Sequence, residues 1–234
     1  MKALIVATIV LGLAVDQYWP GPGQHVATAA AWATFALLWA RSPPGERPYL
    51  LACLLFATAG EVFLSLVWGL YDYRLGNIPL FVPPGHVLLF FLGMQVANRL
   101  TERMAWIVAA IAVALVTALA LAGRDTLGPL LVAFFLACMA LSPSRRLYAT
   151  MFVLSLAMEL YGTWLGNWTW SASVPWLGLV TQNPPVAAGA FYCVLDFLVV
   201  STVAMLRRYP ASPIVTPSTP SHQAAACSAR SSSR

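Results

Sequence analysis

The chain is poor in charge. Asp, Glu, Lys and Arg make up 9% of its 234 residues, where soluble domains average about 25%. With 60% hydrophobic residues and a mean hydropathy of +0.75, a water-soluble globule is excluded. A polytopic helical membrane protein is expected, because helices satisfy their own backbone polar groups in hydrocarbon. Lysine is nearly absent: Lys2 stands alone, and the other cations are arginines spread over short loops. With no basic face and no readout motif, the net charge of +5 does not point to nucleic acid. The four cysteines form no C-x-x-C pair. Cys53, Cys138 and Cys193 lie in apolar runs and Cys227 near the C-terminus, so neither a disulfide framework nor a zinc site is expected. No Gly-rich phosphate loop, nucleophile elbow or H-x-x-H is present, and no metal or cofactor is expected.

What is present is a series of apolar segments: Ala3–Val15, Val26–Ala40, Tyr49–Leu70, Pro79–Ala97, Trp106–Ala122, Gly128–Leu141, Leu147–Leu165 and Pro184–Leu206. Several are shorter than the roughly 20 residues a span needs and must recruit flanking Trp, Tyr and Gly. With a cytoplasmic N-terminus, Lys2, Arg41, Arg47, Arg99, Arg103, Arg145, Arg146, Arg207 and Arg208 fall inside, while only Arg74 and Arg124 fall outside. This bias supports eight spans with both termini cytoplasmic in the inner (cell) membrane. Lys2, the apolar run and Gly12-Leu13-Ala14 also resemble a signal peptide with a small-x-small cleavage site. Residues 1–206 form the membrane domain, and the Ser-, Pro- and Ala-rich stretch 207–234 is expected to be a disordered cytoplasmic tail.

One signature occurs twice. The first copy runs from Glu61 through Trp68-Gly69 and Tyr71-Asp72-Tyr73 to Ile78-Pro79. The second runs from Glu159 through Gly166-Asn167 and Trp168-Thr169-Trp170 to Val174-Pro175. Further pairs keep the order: Ser42-Pro43 with Ser142-Pro143, Pro83-Pro84 with Pro184-Pro185, and Gln95 with Asp196. The period is about 100 residues. The expected fold is therefore an all-α membrane helix bundle of about eight transmembrane helices, built as two parallel four-helix repeats, about 1–104 and 105–206.

A carboxylate in an apolar run is costly and normally faces a partner, a cavity or a substrate path. Glu61 and Glu159 are the leading candidates for acid–base chemistry, since two close, desolvated carboxyls split their affinities for a proton. The alternative is a structural role, bonding helices together. Asp196 and His86 are further candidates for proton transfer. Gln95, Asn167 and Asn183 are candidate polar contacts to a substrate. Tyr71, Tyr73, Trp168 and Trp170 alternate, which is not helical spacing. Beside the ordinary interfacial aromatic belt, they suggest an extended hairpin over the outer mouth that lines an apolar ligand site. Otherwise no strands are expected.

The order Glu159-x-x-Gly162-Thr163-x-x-Gly166, then Trp168-x-Trp170, then Val174-Pro175, resembles the carotenoid hydratase family of the gamma-carotene 1′-hydroxylase and bisanhydrobacterioruberin hydratase type. That family carries E-x-x-G-T-x-x-G, Y-x-Y and V-P elements in this order. The first copy here lacks the Gly-Thr, and the second has Trp in place of Tyr. The resemblance implies addition of water to an isoprenoid double bond, with Glu159 as proton donor and Glu61 as its counterpart. Three functional classes follow from the sequence: an enzyme acting on an apolar isoprenoid or carotenoid-like lipid within the bilayer, a small-molecule or proton-coupled transporter, and a non-catalytic membrane accessory protein.

Overall fold

The structure, a computed structural model, describes residues 1–208. The expected tail lies outside the described residues except for Arg207 and Arg208, which close the last helix. The described chain is mostly helical, with eight α-helices: α1 (Lys2–Tyr18), α2 (Gly23–Arg41), α3 (Arg47–Glu61), α4 (Val82–Ala97), α5 (Glu102–Leu121), α6 (Gly128–Leu141), α7 (Arg145–Leu165) and α8 (Gly189–Arg208). After Glu61, α3 continues as a π-helical turn, Val62–Val67. Three helical stretches are long and apolar enough to cross a membrane: Arg47–Val67, Glu102–Leu121 and Gly189–Arg208.

Large apolar side chains point outward in helical register, Ile107, Ile111 and Leu115 on α5 and Leu51 and Leu55 on α3 among them. A soluble monomer rarely exposes such continuous apolar faces. The inward faces carry small residues. Ala105, Ala109, Ala112 and Val116 form the buried side of α5, and Ala27, Ala31 and Thr34 that of α2. Small residues let helix backbones approach closely where lipid offers no hydrophobic drive to pack.

Helices α3, α4, α7 and α8 form the inner ring. Each of α3 and α7 packs against both α4 and α8. The flanking pairs sit differently: α1–α2 lies against α4 and, through α1, touches α7, whereas α5–α6 lies against α7 and α8. Pro83 and Pro84 occupy the first turn of α4, where the missing N–H costs nothing. Pro184 and Pro185, expected to open α8 in the same way, instead lie in a turn before it, and the helix starts at Gly189. A methyl group at Gly189 would stand 2.4 Å from the Phe152 carbonyl oxygen, so the α7–α8 crossing fixes that start.

Two short strands are present among the described residues, at the alternating aromatics where an extended hairpin was expected: β1 (Tyr71–Tyr73) and β2 (Trp168–Trp170). They are not two separate hairpins. They pair antiparallel with each other, Tyr71 opposite Trp170 and Tyr73 opposite Trp168. The period-2 pattern puts all four rings on the buried face and leaves Asp72 and Thr169 exposed. The strand pair closes one end of the ring. Trp68 Nε1 donates to the Pro175 carbonyl at 2.9 Å, and Ser171 Oγ to that of Gly69 at 3.0 Å.

Candidate functional site

Glu61 and Glu159 are both buried, and each is held by three side chains. The Glu61 Oε2 atom accepts from Tyr71 OH at 2.8 Å and Tyr73 OH at 2.7 Å, and its Oε1 meets His86 Nε2 at 2.8 Å. The Glu159 Oε2 atom accepts from Trp168 Nε1 at 2.7 Å and Trp170 Nε1 at 3.0 Å, and its Oε1 from Tyr192 OH at 3.0 Å. In both sets one oxygen takes the two strand aromatics and the other takes a side chain from the following inner helix. The sets touch: Tyr71 packs on Trp170 with ring centroids 4.9 Å apart, and His86 stacks on Tyr192 at 4.8 Å.

Local sequence explains the fit. The strand aromatics follow Glu159 by 9 and 11 residues but Glu61 by 10 and 12. The π-helical turn after Glu61 takes up the additional residue, as such turns do when one residue is inserted into a helix. In the other set two glycines do the positioning. Gly166 ends α7 in the left-handed region at φ 86°, where a side chain would be strained, and sends the chain back into β2. Gly162 leaves room for the Trp168 ring, since a methyl group there would stand 2.0 Å from it. Gly162→Ala is expected to push Trp168 off Glu159 and to cost about 1–3 kcal/mol, the usual range for overpacking. Thermal melting and tryptophan emission of the variant check this, and an unchanged emission maximum would contradict it.

The donor types differ in a way that matters for a proton. A tryptophan N–H can only donate, whereas tyrosine hydroxyls and histidine ring nitrogens can donate or accept. Trp168 and Trp170 therefore keep the Glu159 Oε2 atom an acceptor, and a proton on Glu159 must sit on Oε1. There Tyr192 OH can turn from donor to acceptor without moving a heavy atom. Tyr71 and Tyr73 keep their own protons, because burial and then the Glu61 carboxylate push both hydroxyls well above their ordinary range. The His86 ring is bonded through Nε2 only, and its Nδ1 is buried without a protein partner among the described residues.

Two cavities meet at this cluster. One, of about 300 Å³, lies between α3 and α8 and is lined by Phe56, Gly60, Phe63, Leu195 and Leu198. The other, narrower, of about 70 Å³, is bounded by α1, α2, α4 and α7 and lined by Ile9, Gly12, Ala31, Gly85 and Met158. Glu61, Tyr71, His86, Glu159 and Tyr192 line both.

Of the residues singled out from sequence, Glu61, Glu159, His86, Tyr71, Tyr73, Trp168 and Trp170 come together here. Four others do not line these cavities. Asn167 is engaged elsewhere: its Nδ2 donates to Asp16 Oδ2 at 2.7 Å and to the Leu13 carbonyl at 3.1 Å. Asn183 accepts from the Trp170 backbone N–H at 3.0 Å and so fixes β2 from behind. Gln95 sits farther along α4, about two and a half turns from His86. Asp196 is fully buried one turn beyond Tyr192 on α8, with neither carboxyl oxygen bonded to protein among the described residues. Two contributors were missed. Tyr192 completes the Glu159 set, and its one signal was its place one turn before Asp196. Asp16 ties α1 to both strand segments, accepting from Arg74 at 3.4 Å as well as from Asn167. Asp72, two residues before Arg74 in sequence, is exposed instead.

Comparison with known protein families, with curated proteins and with solved structures returns no match for this chain.

Proposed function

We propose that the chain is an integral membrane enzyme that modifies an apolar, isoprenoid- or carotenoid-like lipid by carboxylate acid–base chemistry, as in the hydration of an alkene. One observation carries the reading: two buried glutamates, each with three hydrogen-bond partners, border the same two apolar cavities. Convergent polar groups in an apolar pocket are the usual form of a small-molecule site. The resemblance of the Glu159 segment to carotenoid hydratases points the same way.

In this reading Glu159 delivers the proton held on Oε1 to one alkene carbon. The π pair becomes the new C–H bond, and the other carbon becomes cationic. The faces of the neighbouring tyrosine and tryptophan rings stabilise that cation. Water adds its oxygen there and gives up a proton to the Glu61–His86 pair, which lines both cavities and acts as general base. Return of that proton to Glu159 completes the cycle, and the net change is alkene plus water to alcohol. A proton-coupled carrier would need aqueous routes to the carboxyls, and the apolar linings favour the enzyme. Lipid and pigment extracts from cells with and without the protein, analysed by mass spectrometry, test the reading. A species gaining one water, lost in a Glu159→Gln strain, is expected. Identical extracts, with labelled solute moving across proteoliposomes, would favour the carrier instead.

Eight spans with both termini in the cytoplasm complete the proposal, together with descent of the two glutamate segments from one duplicated four-helix unit. Reporter fusions after Arg47, Arg103, Arg146 and Arg208 are expected to read cytoplasmic. Those after Gln24, Arg74, Asp125 and Ser173 are expected to read external. An external signal after Arg103 or Arg146 would break both the span count and the duplication.

A further inference from the structure

We infer that the two cavities are the arms of one passage, and that its occupant is a linear apolar chain lying through it, with apolar carbon on both sides of the carboxylate pair. This rests on the proposed reading of the site and adds the shape of the substrate. Five residues, Glu61, Tyr71, His86, Glu159 and Tyr192, line both cavities, so a single layer of polar side chains is all that stands between them. Beyond that layer each arm is apolar. The wider arm lies along α3 and its π-helical extension from Phe56 to Phe63 and along α8 from Phe191 to Leu198, and Phe63 and Leu198 on its lining are each more than 40% exposed. The narrower arm runs between α1 and α4 past Gly12, Ala27 and Ala31, whose small side chains leave a slot rather than a chamber.

The volumes limit what each arm can hold. The wider arm, at about 300 Å³, is at the lower end of the roughly 300–1,000 Å³ of ordinary ligand pockets. The narrower, at about 70 Å³, holds only a short length of chain rather than a bulky group. Neither arm offers a separate cation or anion for a charged head group: among the described residues the ionisable side chains lining them are the five of the central layer and Tyr73. A chain held on both sides places an internal position, not a free polar end, against Glu61 and Glu159.

The test uses the full-length protein in lipid nanodiscs and a long linear alkane bearing a diazirine at each end. Irradiation and peptide mapping are expected to give single probes bridging an α1–α2 peptide to an α3–α8 peptide of one molecule. Probes anchored only within one arm would overturn the passage. Plugging variants give a second reading. A side chain at Gly60, in the wider arm, or at Gly85, in the narrower, would start in open space, since an added Cβ meets nothing within 4 Å at either. Gly60→Leu and Gly85→Leu are each expected to cut labelling in both arms about ten-fold, one 1.4 kcal/mol step in affinity. Loss confined to the plugged arm would mean two independent sites. Glu159→Gln keeps its bridging labels whether or not acid–base chemistry is the right reading. Failure of the passage and failure of the chemistry are therefore separate results.

Discussion

Replacing Glu159 with Gln is expected to leave the protein folded and to abolish its turnover. The amide oxygen can take the place of Oε2 and accept from Trp168 and Trp170, while the amide NH₂ faces Tyr192 OH, which can accept. All three partners stay satisfied, so melting stays near that of the parent. The transferable proton is gone, and general acid catalysis is worth about 100- to 10,000-fold. Glu159→Leu behaves differently. It strands two indole N–H groups and one hydroxyl in a buried site, each costing about 1–3 kcal/mol. In a chain of this size each kcal/mol lowers the melting temperature by about 2–4 °C. A purely structural glutamate predicts the reverse pattern for turnover, with the Gln variant active. The same substitution at Glu61 fits its neighbours too, because Tyr71, Tyr73 and His86 can all switch between donor and acceptor. Full activity in the Gln variants at both positions would remove acid–base catalysis from consideration.

The glutamates and the alternating aromatics were legible in the sequence because each breaks a local rule. A carboxylate in hydrocarbon and a period of two between helical runs both stand out from an apolar background. The eight helices were legible from hydropathy and charge asymmetry. The pairing of β1 with β2 was not. A strand three residues long has no signal for its partner, and here the partner lies about 100 residues away. Local pattern alone therefore suggested extended structure at each site but not that the two sites pair with each other.

The opening of α8 misled for a related reason. Counting from the proline pairs sets Gln95 against Asp196 and leaves His86 opposite Ala187. Gly189 packs so tightly on Phe152 that α8 starts later than the prolines suggest. That puts Tyr192, the fourth residue of α8, where His86, the fifth of α4, stands in the other set. Asp16 was invisible for the opposite reason. It lies at the end of an apolar helix, beside Gln17 and Tyr18, with no local pattern to single it out. Its partners Arg74 and Asn167 come from other segments, and only the folded arrangement buries it.

Asp196→Leu is expected to melt higher than the parent protein and to keep its turnover. Both carboxyl oxygens are buried and unpaired in the protein, and the groups within electrostatic reach are Cys53, Cys138, Cys193 and Tyr148. None of these supplies a cation. The thiols donate only weakly, and the Tyr148 hydroxyl makes no hydrogen bond to Asp196 among the described residues. A buried polar atom left unpaired costs about 1–3 kcal/mol, and a leucine of similar bulk removes two such atoms at once from a fully buried position. At the conversion used for Glu159, the melting temperature should rise by several degrees. Turnover should be kept because the residue lines neither cavity and its carboxyl reaches no group that does. Asp196→Asn serves as the control. It keeps the size of the side chain but leaves a polar amide in the same surroundings, so it should gain little stability. Melting curves and product yields of the two variants, measured side by side, decide the matter. A folded Asp196→Leu protein without turnover would place Asp196 on the path of the proton, and a variant that melts lower would reveal a hydrogen-bond partner for its carboxyl.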